Sequence, residues 1–289
     1  MKQTNNLSPL PIYTSIEWQN YRLPWSFGEI MRPYFCPANG MLPFQFSRTH
    51  SEKTDITVKL YDKAGNFILD VTSALVQNGL EILQYPERGY DVIMFPGVAM
   101  IQVGGYYFQE GFYFLEITSG GNNWYSDVIC FVKTSMEQYI EISWYDIDDL
   151  FYSGGQIPYS EGYRNKIYIK GEICRPEYDF EEEVTERDGY TFPQYQISKK
   201  TYKFTFTAPE SMCDVMRLIR LSDFVTIKWR GLTYQVDSFL MTVTWEEQAN
   251  IASVEVEFQT DTIVKKIGRG WIPTNKGDFN DDFNNDFNS

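Results

Sequence analysis

Apolar and polar residues alternate with a period of two through much of this chain, the mark of strands with one face buried and one wet. The pattern is densest between residues 200 and 262. Tyr202, Phe204 and Phe206 alternate with Lys203, Thr205 and Thr207. Ala208-Pro209 breaks that strand, and Pro209 suits the first turn of a helix, where a missing N–H costs nothing. Met212, Val215, Met216 and Ile219 recur at i, i+3, i+4 and i+7, which predicts a helix of about three turns ending at Ser222-Asp223. Residues 224–229 and 233–244 are β-rich runs around Arg230-Gly231, a hairpin signal. A last strand, residues 253–259, turns Val254, Val256 and Phe258 inward and Glu255 and Glu257 outward. The stretch predicts one helix lying across an antiparallel sheet. Such a unit has no room for a catalytic cleft of its own and reads as a packing and docking module.

Before it the period is also that of strands. Ile56, Val58 and Leu60 alternate with Thr57, Lys59 and Tyr61, and residues 62–66 supply a turn into Phe67-Ile68-Leu69. Residues 71–83 fit either a helical turn at Ala74-Leu75-Val76 or two short strands about Asn78-Gly79. Residues 90–100 are β-like, interrupted at Pro96-Gly97. Residues 111–132 predict a hairpin: Phe112 and Phe114 on one face, Tyr113, Leu115 and Ile117 on the other, a turn at residues 119–123, and a return from Trp124.

The fold expected is mainly β. An immunoglobulin-like β-sandwich spans residues 23–134, because short strands recur at 8–12-residue spacing with turns between them. An α+β domain, an antiparallel sheet plus one helix, follows at residues 135–267. Residues 1–22 form an N-terminal arm, which Trp18 and Tyr21 can pin to a neighbouring surface. Residues 268–289 form a flexible acidic tail with a four-residue repeat, Asp278-Phe279-Asn280, Asp282-Phe283-Asn284 and Asp286-Phe287-Asn288. Asp and Asn are poor helix formers. The tail is expected either to order on a partner through Phe279, Phe283 and Phe287 or to remain a solvated acidic end.

The 289 residues suffice for two domains of ordinary size. A net charge of −14 argues against a nucleic-acid backbone as partner. No apolar run reaches membrane-spanning length, and residues 1–11 lack the apolar core of a signal peptide, so a soluble chain outside the usual export route is expected. Cys36, Cys130, Cys174 and Cys213 are scattered without metal-ligand spacing, which suits reduced thiols in a cytoplasm.

Candidate chemistry is sparse. His50 is the only histidine, so any Ser-His-Asp or Cys-His arrangement must use it; its place at a strand end suits a surface or turn residue. Carboxylates for glycoside hydrolysis would come from Glu181, Glu182 and Glu183 or from Asp146, Asp148 and Asp149. The first run reads as a solvated strand edge, and the second lacks the glycine and distal glutamate of a calcium loop. Glycine pairs occur without a phosphate-loop context, and no cofactor is expected. Aromatics reach 17%, and Tyr106, Tyr107, Trp124 and Tyr125 lie near loops. They offer a stacking platform for host-surface glycans, or else fill strand cores and an oligomer interface.

Several stretches carry a resemblance: Glu110-Gly-Phe-Tyr-Phe-Leu-Glu-Ile-Thr118, Trp124-Tyr-Ser-Asp-Val-Ile129, Tyr168-Ile-Lys-Gly-Glu172, Phe204-Thr-Phe-Thr-Ala-Pro-Glu210, Leu221-Ser-Asp-Phe-Val225 and Thr260-Asp-Thr-Ile-Val-Lys-Lys266. In these the chain resembles the β-rich structural proteins of phages and prophages of Bacteroidetes bacteria, including the crAss-like group. The resemblance implies a virion component of a tail, neck or baseplate, built as repeated copies around an axis and assembled in the host cytoplasm. It implies no catalytic residues. Its partners would be other virion subunits and further copies of itself, with no nucleic acid and no membrane. In such a ring the two terminal arms would reach an adjacent subunit.

Overall fold

The computed structural model describes residues 8–14, 34–37, 42–50, 55–77, 80–95, 102–103, 106–107, 110–133, 136–148, 163–187, 189–245 and 251–266. Strands dominate them, and the chain is mainly β. It divides into two units: Met1–Glu177 with Thr201–Thr260, and Tyr178–Lys200 with Asp261–Ser289.

The largest sheet of the first unit is built around β10 (Gly111–Ser119), whose Leu115 and Ile117 are buried. Gly120 and Gly121, at φ 60° and 80°, turn the chain into β11 (Asn122–Ser126). Two successive left-handed residues give a hairpin turn whose twist matches its strands, and glycine adopts both without a Cβ clash. The turn is tighter than the loop expected over residues 119–123, because Asn122 and Asn123 already pair with Ser119 and Thr118. The return is also broken. Glu116 pairs with Tyr125 but Tyr113 with Ile129, so one extra residue bulges on the returning side before β12 (Ile129–Val132).

The bulged backbone is satisfied locally. Leu115 N–H donates to Ser126 Oγ (2.8 Å), Val128 N–H to Asp127 Oδ1 (2.6 Å) and Asp127 N–H to the Pro11 carbonyl (2.8 Å). Pro11 precedes β1 (Ile12–Tyr13), which pairs with β11, while β2 (Tyr34–Pro37) runs parallel to β12. On the other edge of β10 lies β4 (Thr57–Asp62), with β5 (Phe67–Asp70) as its hairpin partner. Asp62 closes that hairpin by accepting the N–H groups of Ala64 (2.9 Å) and Asn66 (2.8 Å). The Asn66 side-chain hydrogen bond, with these, holds the Asp62 carboxyl below the usual carboxylate range.

A second sheet, in the order β3-β7-β6, joins β3 (Phe44–Thr49), β6 (Glu81–Tyr85) and β7 (Tyr90–Phe95). Phe46 of β3 meets Trp124 of β11 with ring centroids 5.2 Å apart, so the two sheets share a core in a sandwich-like arrangement. Residues 71–83 resolve into α1 (Thr72–Gln77) followed by β6. The short strands β8 (Gln102–Val103) and β9 (Tyr106–Tyr107) pair with each other.

The single antiparallel sheet expected in the C-terminal half is in fact two. One has the order β14-β13-β17-β18, from β13 (Tyr139–Tyr145), β14 (Asn165–Lys170), β17 (Phe224–Trp229) and β18 (Leu232–Gln235). The other has the order β15-β16-β20-β19, from β15 (Glu177–Arg187), β16 (Tyr190–Pro209), β19 (Ser238–Trp245) and β20 (Ile251–Lys266). The run 233–244 breaks at Val236-Asp237: Val236 N–H donates to the Val225 carbonyl in one sheet, and Asp237 N–H to the Gln259 carbonyl in the other. Arg230 (φ 48°) and Gly231 (φ 76°) form the expected two-residue hairpin turn.

The helix is shorter than the apolar stripe predicts. It is α2 (Glu210–Met216), and Pro209 stands before it in extended conformation rather than in its first turn. Leu218 N–H bonds to Val215, Leu221 to Leu218 and Ser222 to Ile219. These i to i−3 bonds tighten the chain into a 3-10 turn at Ile219–Leu221. Met212, Val215, Met216 and Ile219 are all buried, so one stripe is served by two kinds of turn.

In the second unit, β15 from Tyr178, β16 up to Lys200 and β20 from Asp261 contribute strand residues. None of its described side chains is buried.

Candidate functional site

Three groups of residues stand out: a polar cluster at His50, one face of the sheet β14-β13-β17-β18, and the edge strand β15. At the first, β3 and β7 bring Arg48 opposite Asp91. Asp91 is 1% exposed, its Oδ1 2.6 Å from His50 Nδ1 and its Oδ2 3.4 Å from Arg48 Nε. Arg48 Nη1 donates to Ser119 Oγ at 2.6 Å. The serine oxygen is thus engaged by the guanidinium, whereas a nucleophilic triad needs it against the imidazole. What the geometry builds is a charge-assisted pin joining β3, β7 and the end of β10. His50 is at a strand end as the sequence suggests, yet tied to a buried partner that sequence distance concealed.

The second is a partly exposed face of the sheet β14-β13-β17-β18. Strand alternation and register put Ile140, Ile142 and Trp144 on one side, and Tyr139, Glu141, Ser143 and Tyr145 on the other. On this second side Tyr139, Glu141 and its partner Tyr168 are buried, Tyr139 against Phe35 at 5.6 Å, whereas Arg164, Lys170, Phe224 and Lys228 are exposed. Lys166 and Lys228 both reach Glu141 Oε1, at 3.2 and 3.4 Å. Two cations share one largely buried carboxylate, which leaves the locale positive. Tyr145 stacks on Phe224 at 4.7 Å between centroids, and the Arg164 guanidinium lies 4.9 Å from the Tyr145 ring.

Beside this face, Asp146 and Asp223 brace each other's backbone. Asp223 N–H donates to Asp146 Oδ1 (3.1 Å) and Ile147 N–H to Asp223 Oδ2 (2.9 Å). Burial pushes the Asp146 carboxyl above its ordinary range; the Asp223 charge adds to this, while hydrogen bonds from Asp223 N–H and Ser222 Oγ oppose it. Among the described residues no group of three or more His, Cys, Asp or Glu is placed to hold a metal ion.

On β15, Tyr178 is 64%, Phe180 69% and Val184 47% exposed. Glu181, Glu182 and Glu183 accompany them on the edge of the sheet. Glu181 bonds Lys199 Nζ at 2.6 Å and Glu182 accepts from Gln196 Nε2 at 2.9 Å. The Glu181 hydrogen bond pushes the Lys199 ammonium above its usual value.

Trp18, Tyr21, Phe279, Phe283 and Phe287 lie outside the described residues. Tyr106 and Tyr107 are described in backbone only, in β9. Trp124 is 5% exposed against Phe46, and Tyr125, its neighbour along β11, turns to the opposite side. An aromatic platform with both rings open to a sugar therefore does not form at Trp124 and Tyr125, since core packing claims the indole. The composition of β15 hides its exposed apolar residues, because the acidic run dominates it. The alternation Tyr178, Phe180, Glu182, Val184 was the available signal.

All four cysteines are free thiols. Burial pushes Cys36 up to about 12 and Cys130 and Cys213 up to about 11, keeping them protonated, whereas Cys174 is exposed. Native protein should therefore expose one thiol to a disulfide reagent, at Cys174, and the other three only on unfolding. Fast reaction of a second thiol would contradict the packing of β2, β12 or α2, according to which cysteine reacts.

No family model matches the chain, and no curated protein matches it.

Proposed function

We propose that this chain is a non-enzymatic structural or assembly subunit of a phage particle, part of its tail, neck or baseplate. It works as an oligomer among other virion subunits, assembled in the host cytoplasm. The two facing sheets of residues 8–133 are read as an immunoglobulin-like sandwich, and the C-terminal half as an α+β docking domain. The observation that carries this reading is the second unit: strands that display Tyr178, Phe180 and Val184 yet bury none of their described side chains. Sheets of few strands without a covered face are marginal in water. Exposed aromatics on an edge strand suit a surface that another subunit covers. The polar clusters add support, because the Asp91, Glu141 and Asp146 carboxylates are spent on holding strands and turns together.

The test is the double variant Tyr178→Ser/Phe180→Ser. These side chains contribute little to the monomer's core, so its thermal transition should stay close to that of the unaltered protein. Its self-association, measured by sedimentation velocity, should be lost. A variant that assembles like the unaltered chain would remove the main support for the reading.

A further inference from the structure

The covering for β15 has to come from another surface, and charge narrows the choice. Resting on the assembly reading above, we infer that the occupant is a second copy of this chain, which receives β15 on the exposed part of its β14-β13-β17-β18 sheet, where Arg164, Lys170, Phe224 and Lys228 are open. β15 carries Glu177, Asp179, Glu181, Glu182, Glu183 and Glu186 against the single cation Arg187. Two β15 edges laid side by side would set carboxylate against carboxylate, which opposes a twofold strand-to-strand pair. Among these, Glu183 and Glu186 have no hydrogen bond or ion pair among the described residues.

The receiving face has the opposite sign. Register places Lys166, Lys170 and Lys228 on it, with Arg164 over its Tyr145 ring, and Glu141 is the carboxylate that Lys166 and Lys228 share. Phe224, 42% exposed and stacked on Tyr145, offers an aromatic centre for Tyr178 and Phe180. An aromatic centre bordered by arginine and lysine, meeting an aromatic centre bordered by glutamates, is complementary in both apolar and charged character. Because donor and receiver are different surfaces, the contact is head-to-tail, the kind that closes a ring when the rotation from copy to copy divides a full turn.

The experiment is a charge exchange between two variants. One carries Glu183→Lys and Glu186→Lys on the strand; the other carries Arg164→Glu and Lys170→Glu on the face. These exposed positions avoid the Glu141 contacts, and circular dichroism with a thermal melt verifies that each variant folds. Each alone should associate about tenfold more weakly or worse, since like charges are brought together. An equimolar mixture should recover the assembly, because every contact between unlike copies then joins opposite charges. Unaltered association in either variant, or no recovery on mixing, overturns this docking mode while leaving self-assembly of the unaltered chain in place. An unaltered chain that stays monomeric at every concentration overturns both this inference and the reading on which it rests.

Discussion

Replacing Arg48 by Met should lower the unfolding free energy by about 3–5 kcal/mol in urea titrations, because it removes one partner of a buried ion pair. Asp91 is 1% exposed, and the substitution leaves its charge facing His50 without the guanidinium. It also releases Ser119 Oγ from its 2.6 Å donor and unties β3 from β10. The paired replacement Arg48→Met/Asp91→Leu removes both charges and should recover a large part of the loss, since a buried pair exchanged for apolar side chains is often near neutral. A single-variant loss below about 1 kcal/mol would mean that the pair stays hydrated and that the pin described here does not hold the sheets.

Truncating Phe258 to Ala should cost about as much, roughly 3–5 kcal/mol, through lost burial and the cavity left behind. Phe258 is fully buried on β20. Tyr202 stacks on it at 5.3 Å, and Phe204 and Tyr234 approach it edge-on at 6.2 and 5.8 Å. Three rings from two strands, β16 and β18, lose their common partner at once. Trp245→Ala, at a 45% exposed position on β19, removes a larger side chain but should cost far less, within about 1 kcal/mol. Equal losses at the two sites would show that residues 238–245 are more covered than described.

Strand periodicity carried local structure well. Val254, Val256 and Phe258 are inward as their alternation requires, the Arg230-Gly231 turn is where two residues of left-handed backbone are needed, and the Met212 to Ile219 stripe is buried. Choice of strand partner was not legible. A period of two states which side is wet but not which strand lies alongside, so the passage of β18 and β19 into different sheets had no local signature. The same limit hid Asp91 from His50, 41 residues apart, and Phe46 from Trp124. An indole near a turn looks equally suited to a sugar platform and to a core until its opposite sheet is known. On β15 the obstacle was composition: six carboxylates in eleven residues masked three apolar side chains on one alternation.

Completion of the second unit by other subunits, as proposed, is a question of mass and shape in solution. Absolute mass by light scattering over a wide concentration series, with negative-stain images of the largest species, tests it most directly. Growth from monomer to a closed species of fixed stoichiometry, seen as rings, is the expected result. A strict monomer at every concentration would contradict it.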